Sequence, residues 1–198
     1  MEEQYVRCLM VETGQEDTVC RLLNIRNLGR GVCPSRVRVR KIRGVWKKDR
    51  IRLLPGYVFV FTEEEVSVRS YQGLEHVLKV LRYEKEPDGY LRGTDLEFAR
   101  TVHELDGRLD ILDAVDEAGF IRVTDMLLKA LHGEVVSVRK GKRQAVIRVN
   151  LMGQSKLIEM NYQLLDADGN VLTPAEEEAE DGPDEADGPR AEEEDEGT

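Results

Sequence analysis

Apolar positions along the chain come in short runs and short periods. Tyr5–Val11, YVRCLMV, is a short apolar run without a break and predicts a central strand. Thr13-Gly-Gln-Glu16 is a capping box, so a helix should follow, with Val19, Leu22, Leu23 and Arg26 at helical spacing and Leu28-Gly29 as its exit. Arg36–Trp46 alternates, with Val37 and Val39 on one face and Arg36, Arg38 and Arg40 on the other, as in a half-buried strand with a basic outer face. Lys47-Lys48-Asp49-Arg50 reads as a turn, and the chain returns through Ile51, Leu53 and Leu54 to Pro55-Gly56. Proline has no amide to give a ladder, and glycine reaches backbone angles closed to other residues, so this pair predicts a bend at the start of the strand Tyr57–Phe61, YVFVF.

Thr62-x-x-Glu65 opens a short helix carrying Val66, Val68, Arg69 and Tyr71 and ending near Gly73. VLKVLRY, Val77–Tyr83, is a further strand, and Thr94-x-x-Glu97 leads a helix with Leu96, Ala99, Val102 and Leu105 inward and Gly107 as its stop. The order β-α-β-β-α-β-α predicts an α+β unit over residues 1–106, an antiparallel sheet flanked by helices. Residues 107–117 mix acids with a few aliphatics at no clear period and read as a linker. From Gly119 the pattern is all-β: alternation at Val135, Val136 and Val138, a basic turn Arg139–Arg143, alternation again at Ala145, Ile147 and Val149, and a turn at Met152-Gly153-Gln154. Four or five short strands at this spacing predict a small β-barrel over residues 118–166. Residues 167–198 are acidic, rich in Gly and Pro, and have little to bury, which predicts a disordered tail.

Charge sharpens this division. The formal net charge of −10 is an average over unlike parts: Ala175–Thr198 holds thirteen acids and one base, so the preceding residues carry +2. Arg36–Arg52 holds nine bases against one acid, Asp49. A second cluster, Arg139, Lys140, Lys142, Arg143 and Arg148, lies on one hairpin of the barrel, with Lys156 near it in sequence. Such asymmetry points to a polyanion partner, or to a merely solvated face if the side chains do not converge. The candidate nucleic-acid contacts are Arg36, Arg38, Arg40, Lys41, Arg43, Lys47 and Lys48 in the first cluster, and the second cluster with Lys156 as an RNA face. The tail is read three ways: solubilising filler, a screen competing for the basic patches, or a docking site for a basic protein.

Little else suggests chemistry. Cys8, Cys20 and Cys33 are odd in number and lack C-x-x-C spacing, which fits buried free thiols in a reducing cytoplasm. His76, His103 and His132 have no ligand spacing, so neither a metal nor another cofactor is implied. Lys140-Gly141-Lys142 is not a phosphate loop, and no nucleophile–base arrangement stands out; a non-enzyme is expected. No apolar run approaches the roughly 20 residues of a membrane span, and the acidic N-terminus argues against a signal peptide.

The V-E-T-G-Q-E helix start, the L-L-P-G-Y-V-F-V strand and the C-terminal G-E-V-V-S-V and A-V-I-R-V-N-L-M-G segments together resemble the NusG family of transcription elongation factors. Residues roughly 4–105 resemble its NGN domain and roughly 117–166 its KOW domain. V-E-T-G-Q-E and K-R-Q-A-V-I-R-V lie nearest the specialised antiterminator paralogue LoaP. The resemblance implies a factor that binds the clamp helices of the largest RNA polymerase subunit, bridges the main channel, suppresses pausing and lies beside upstream DNA. It places Tyr57, Phe59 and Cys8 on the polymerase-binding face, and assigns the KOW part to a hairpin in the nascent transcript.

The alternating rings Tyr57, Phe59 and Phe61 share one side of a strand, where they suit either a core or a partner face. The resemblance moves Tyr57 and Phe59 to the partner face and leaves Phe61 in the core. Departures bear on partners. The family's I-F-G-R loop is Leu151-Met152-Gly153-Gln154 here, and loss of its Arg argues against the contacts to ribosomal protein S10 or Rho made by housekeeping members. The rival functions are a general elongation factor of the same family and a ribosome-associated KOW-type RNA-binding protein.

Overall fold

The computed structural model describes residues 5–84 and 87–172. In chain order, β1 (Tyr5–Val11) leads to α1 (Glu16–Ile25), β2 (Arg30–Val32), the hairpin β3 (Ser35–Ile42) and β4 (Val45–Arg52), β5 (Tyr57–Thr62), α2 (Val68–Gln72), β6 (Val77–Val80) and α3 (Gly93–Glu104). Four strands form one antiparallel sheet in the order β2-β5-β1-β6, with β1 and β5 in register from Tyr5↔Thr62 to Met10↔Tyr57. The two-residue period of a strand divides this sheet cleanly. Leu9, Val11, Val58 and Val60 face α1 and α2, meeting Val19, Leu23, Tyr71 and Leu74. Val6, Cys8, Phe59 and Phe61 face the other way, toward Phe98, Ala99 and Val102 of α3.

The second half begins with β7 (Arg108–Leu109), which pairs parallel to β3 at Ser35↔Arg108. β8 (Leu112–Glu117), β9 (Phe120–Val123), α4 (Met126–Ala130), β10 (Glu134–Arg139), a 3₁₀ turn at Lys140–Lys142, β11 (Gln144–Leu151) and β12 (Gln154–Leu164) follow. Five strands in the order β10-β11-β12-β8-β9 make a small barrel-type sheet around Leu112, Ala114, Ala145, Ile147, Val149, Ile158, Met160 and Tyr162, all buried. The chain is thus α+β followed by a small β unit.

Several local expectations are corrected. The β3–β4 turn is not at residues 47–50 but at Arg43-Gly44, whose positive φ values of 51° and 79° make the two-residue turn that matches strand twist. VWKKDRIR is charged and lacks alternation, so its strand character was invisible. The segment 107–117 is structured: β8 lays Leu112 and Ala114 into the barrel core, and three of its other four positions are acids. α4 was not anticipated; Asp125 caps it by accepting from Leu127 N at 2.7 Å. Thr62 belongs to β5 and Ser67 caps α2, while α3 starts at Gly93, ahead of Thr94. β6 ends at Val80, short of Tyr83. Residues 167–172 close a turn through the Leu165↔Val171 bridge, and 173–198, the bulk of the acidic tail, lie outside the described residues.

The Thr13–Glu16 box is replaced by a longer-range device. Glu16, buried, accepts from Gly14 N at 3.0 Å and from Gly56 N at 2.7 Å, while Val11 N donates to Gly56 O at 2.9 Å. One carboxylate therefore ties the start of α1 to the Pro55-Gly56 bend and sets where β5 begins. Gly56 is required there: its φ is +80°, and a Cβ would stand 3.2 Å from Val11 O. Burial pushes the Glu16 carboxyl up, but the Gly56 and Gly14 amides and Arg52 outweigh it and hold it below its ordinary 4.5. Its folded value is depressed, so its contribution is present above the ordinary value and lost as pH falls below it. Glu16→Gln should lower stability at neutral pH by roughly 1–3 kcal/mol and progressively less as acid protonates the wild-type carboxylate, measured by urea denaturation across pH. A loss that does not change with pH would contradict this role.

Candidate functional site

The α3-facing side of the sheet carries the residues that the resemblance assigns to a partner. Phe59 lies at its centre, fully buried, tilted against Phe98 with ring centroids 5.8 Å apart. Cys8 pairs across from Phe59 and is also fully buried; burial and then Asp95 push its thiol well up, so it stays protonated. Phe61 is buried with its ring 4.2 Å from that of His103. Tyr57 alone is half-buried. Its hydroxyl accepts from Lys156 Nζ on β12 at 3.0 Å, and the same Nζ stands 5.3 Å from its ring centroid. Phe59 and Cys8, expected on a partner face, are thus closed over, and Tyr57 lies at the seam between the two halves.

That seam is held by specific bonds. Asn161 of β12, buried, accepts from Val39 N at 2.9 Å and donates through Nδ2 to Val39 O at 3.1 Å. The amide side chain thus pairs with β3 as another strand's backbone would. The same Nδ2 also donates to Arg143 O at 3.0 Å. At the opposite side, Asp95 in the first turn of α3 accepts from Met152 N at 2.9 Å and from the Tyr83 hydroxyl at 2.6 Å. Burial and then this carboxylate push the Tyr83 phenol up to about 12, so the bond persists at neutral pH. Glu97 of α3 meets His132 just beyond α4 at 2.5 Å. One continuous buried cluster runs from Val6, Phe59 and Phe98 to Leu151 and Ile158 of the barrel. The Met152-Gly153 turn is therefore lodged on α3.

The basic residues separate into paired and unpaired. Arg36 is not on a solvated face but buried where β12 packs on β3; burial lowers its pKa and Glu159 opposes this. Arg38 and Arg40 both engage Asp49, Arg50 engages Asp110 and Arg52 engages Asp17. Arg139 pairs with Glu159, Lys140 with Asp116 and Arg148 with Glu134. Among the described residues Arg43, Lys47, Lys48 and Lys142 have no such partner, whereas Lys41, at the hairpin end, and Arg143 are engaged. Because Asn161 bonds the backbone of both Val39 and Arg143, the end of the 3₁₀ turn sits beside β3.

Asn161 and Asp95 were not singled out from sequence. Asn161 interrupts the apolar run M-N-Y, which is the one signal that pointed to it. Asp95 reads only as a first-turn acid, since its partner Met152 is 57 residues away. Among the described residues no cluster of His, Cys, Asp and Glu could hold a metal ion, and no helix is long and apolar enough to cross a membrane.

No protein-family model matches the chain, and no curated protein matches it. Among solved structures it is similar to one described as "Domain interaction in Thermotoga maritima NusG", at 14% identity and a TM-score of 0.48, covering 80% of this chain and 94% of that one.

Asn161→Ala leaves both Val39 backbone groups without their side-chain partner, while the Arg143 carbonyl keeps the Tyr162 amide at 3.0 Å. It should cost on the order of 2–4 kcal/mol by urea denaturation and make the β3 segment more sensitive to limited proteolysis. A stability loss within 0.5 kcal/mol, the usual range for a surface change, would show that the amide is not a clamp.

Proposed function

We propose that the chain is a transcription elongation factor of the NusG type, acting as a processive antiterminator. Its first unit grips the clamp helices of RNA polymerase and its barrel contacts a hairpin in the nascent transcript. The mechanism is binding alone: the clamp is held closed across the channel and no bond is made or broken. The reading rests on the sequence resemblance, above all on P-G-Y-V-F-V, and the observation that carries it is the position of Tyr57. The ring assigned to the polymerase is the one aromatic of its strand not sealed in the core, and it sits at the edge of an apolar face formed with Phe59 and Cys8.

In the described arrangement the barrel covers that edge through Lys156. Polymerase binding therefore requires the barrel to lift, and the apparent affinity is scaled by the open fraction. Lifting breaks a small set of named polar bonds, those of Asn161, Asp95, Glu97 and Lys156, and exposes the apolar residues between them. Arg43, Lys47 and Lys48 at the hairpin and Lys142 in the barrel turn then serve as phosphate contacts, to upstream DNA and transcript respectively. Surface pairs such as Arg139–Glu159 are weak and exchange readily for phosphate, so the paired bases remain available.

A second reading, a ribosome-associated RNA binder, is favoured by the unpaired bases Arg43, Lys47, Lys48 and Lys142, which need no polymerase. The two separate in one binding series. Immobilised full-length protein should retain core RNA polymerase, and Tyr57→Ala should weaken retention by about 30-fold, the equivalent of roughly 2 kcal/mol at an interface centre. Retention unchanged by Tyr57→Ala removes the proposed face; ribosomal RNA bound more tightly than polymerase favours the second reading. For the nucleic-acid surface, Lys47→Ala with Lys48→Ala should reduce the slope of log affinity against log salt by about 1–2, measured with a leader-hairpin RNA. Equal affinity for the hairpin and a scrambled RNA of the same length would leave a general elongation factor rather than a specialist.

A further inference from the structure

The three cysteines are not equivalent. Cys8 is sealed in the core, but Cys20 on α1 and Cys33 in the link between β2 and β3 are half-buried, and their Sγ atoms stand 3.0 Å apart. Neither belongs to the Tyr57 face or to the seam with the barrel, so the proposed function leaves the pair unexplained. Their approach depends on Gly31: a Cβ there would lie 2.9 Å from Cys20 Sγ and 3.1 Å from Cys20 Cα, so only glycine lets α1 come this close to β2. A disulfide has its sulfurs about 2.05 Å apart, so closing the bond asks for about 1 Å of movement shared by two side chains. The hydrogen bond the two thiols share, in which either sulfur can be the donor, and then Arg52 hold Cys20 below the usual thiol range against burial, Asp17 and Glu16. A low-pKa thiol beside a second thiol is the arrangement of a site that exchanges with disulfides.

We propose that Cys20 and Cys33 form an oxidation site that closes to an intramolecular disulfide by exchange with a small-molecule disulfide. The Cys20 thiolate attacks one sulfur of the oxidant, forming a mixed disulfide and releasing one small thiolate, which takes up the proton that Cys20 lost. Cys33 then gives up its proton and attacks the Cys20 sulfur, forming the Cys20–Cys33 bond and expelling the second small thiolate, which takes that proton. The protein loses two electrons and the small disulfide gains them. The new bond staples α1 to the link that leads through Pro34 into β3, where Leu53 N donates to Pro34 O at 2.8 Å and Ser35 N to Gly107 O at 2.7 Å. Oxidation thus fixes the root of the basic hairpin to the helix without touching the Tyr57 face.

The test uses the full chain, reduced, desalted and incubated natively with oxidised glutathione. Non-reducing peptide mapping by mass spectrometry reads the product; trypsin must be combined with a Glu-specific protease, because Cys8 and Cys20 share the tryptic peptide that ends at Arg21. The expected product is one Cys20–Cys33 cross-link with Cys8 unmodified, and a rise in Tm of about 5–10 °C that reductant reverses. Glutathione adducts without a cross-link, linkage through Cys8, or no oxidation would each overturn the proposal. Cys33→Ser should hold Cys20 as a stable glutathione adduct, and a folded variant that forms none also overturns it. Should that variant not fold, the wild-type map decides alone.

Discussion

A single carboxamide carries the constraint on which the arrangement of the two halves depends. Asn161 stands in the middle of a barrel strand, between buried Met160 and Tyr162, and completes the hydrogen bonding of Val39 on a hairpin 122 residues earlier in the chain. An isolated amide in that position would be costly, because its own groups and those of Val39 would be buried without partners. Satisfied on both sides, it fixes register: shifting β12 by one residue would turn Asn161 to the opposite face of the barrel. Asp95 does the equivalent work at the end of α3, by accepting from the backbone of the Met152-Gly153 turn. Between these two points the apolar cluster is continuous, so the halves are seated on each other through both polar and apolar contact.

The seat lies on the side of the sheet where the resemblance places a partner. That gives the burial of Phe59 and the exposure of Tyr57 a common cause. α3 covers the centre of the face through Phe98, and the barrel reaches its edge through Lys156. A partner that needs the whole apolar face must therefore compete with the barrel. The same docking brings the backbone of the Lys142–Arg143 turn beside β3.

Much of this was legible in the sequence, and what was not has physical reasons. The alternating strand Tyr57–Phe61, the amphipathic helix from Glu16 and the short β-period after Gly119 all follow from local patterning, and each forms. Arg43-Gly44 was missed because Lys47–Arg50 has a more turn-like composition, whereas the actual turn is set by backbone sign, not polarity. β8 was missed because only its barrel-facing Leu112 and Ala114 are strongly buried, and its acids obscure the alternation. Local alternation puts Arg36 on a solvated face, but its burial comes from a strand more than 100 residues away. The Cys20–Cys33 approach likewise follows from α1 packing on β2, which no spacing rule encodes. Local signals thus located the elements, and the contacts between elements decided which of the candidate residues are free.

The central claim, that polymerase and barrel compete for the Tyr57 face, can be read at one amide. Val39 N donates to Asn161 across the seam and should exchange slowly with deuterium while the barrel is seated. Hydrogen exchange of full-length protein, free and bound to core RNA polymerase, is the direct measurement. Protection at Val39 that is lost on binding is the predicted result. Protection that persists in the complex would mean that the barrel never leaves, and the competition would be wrong.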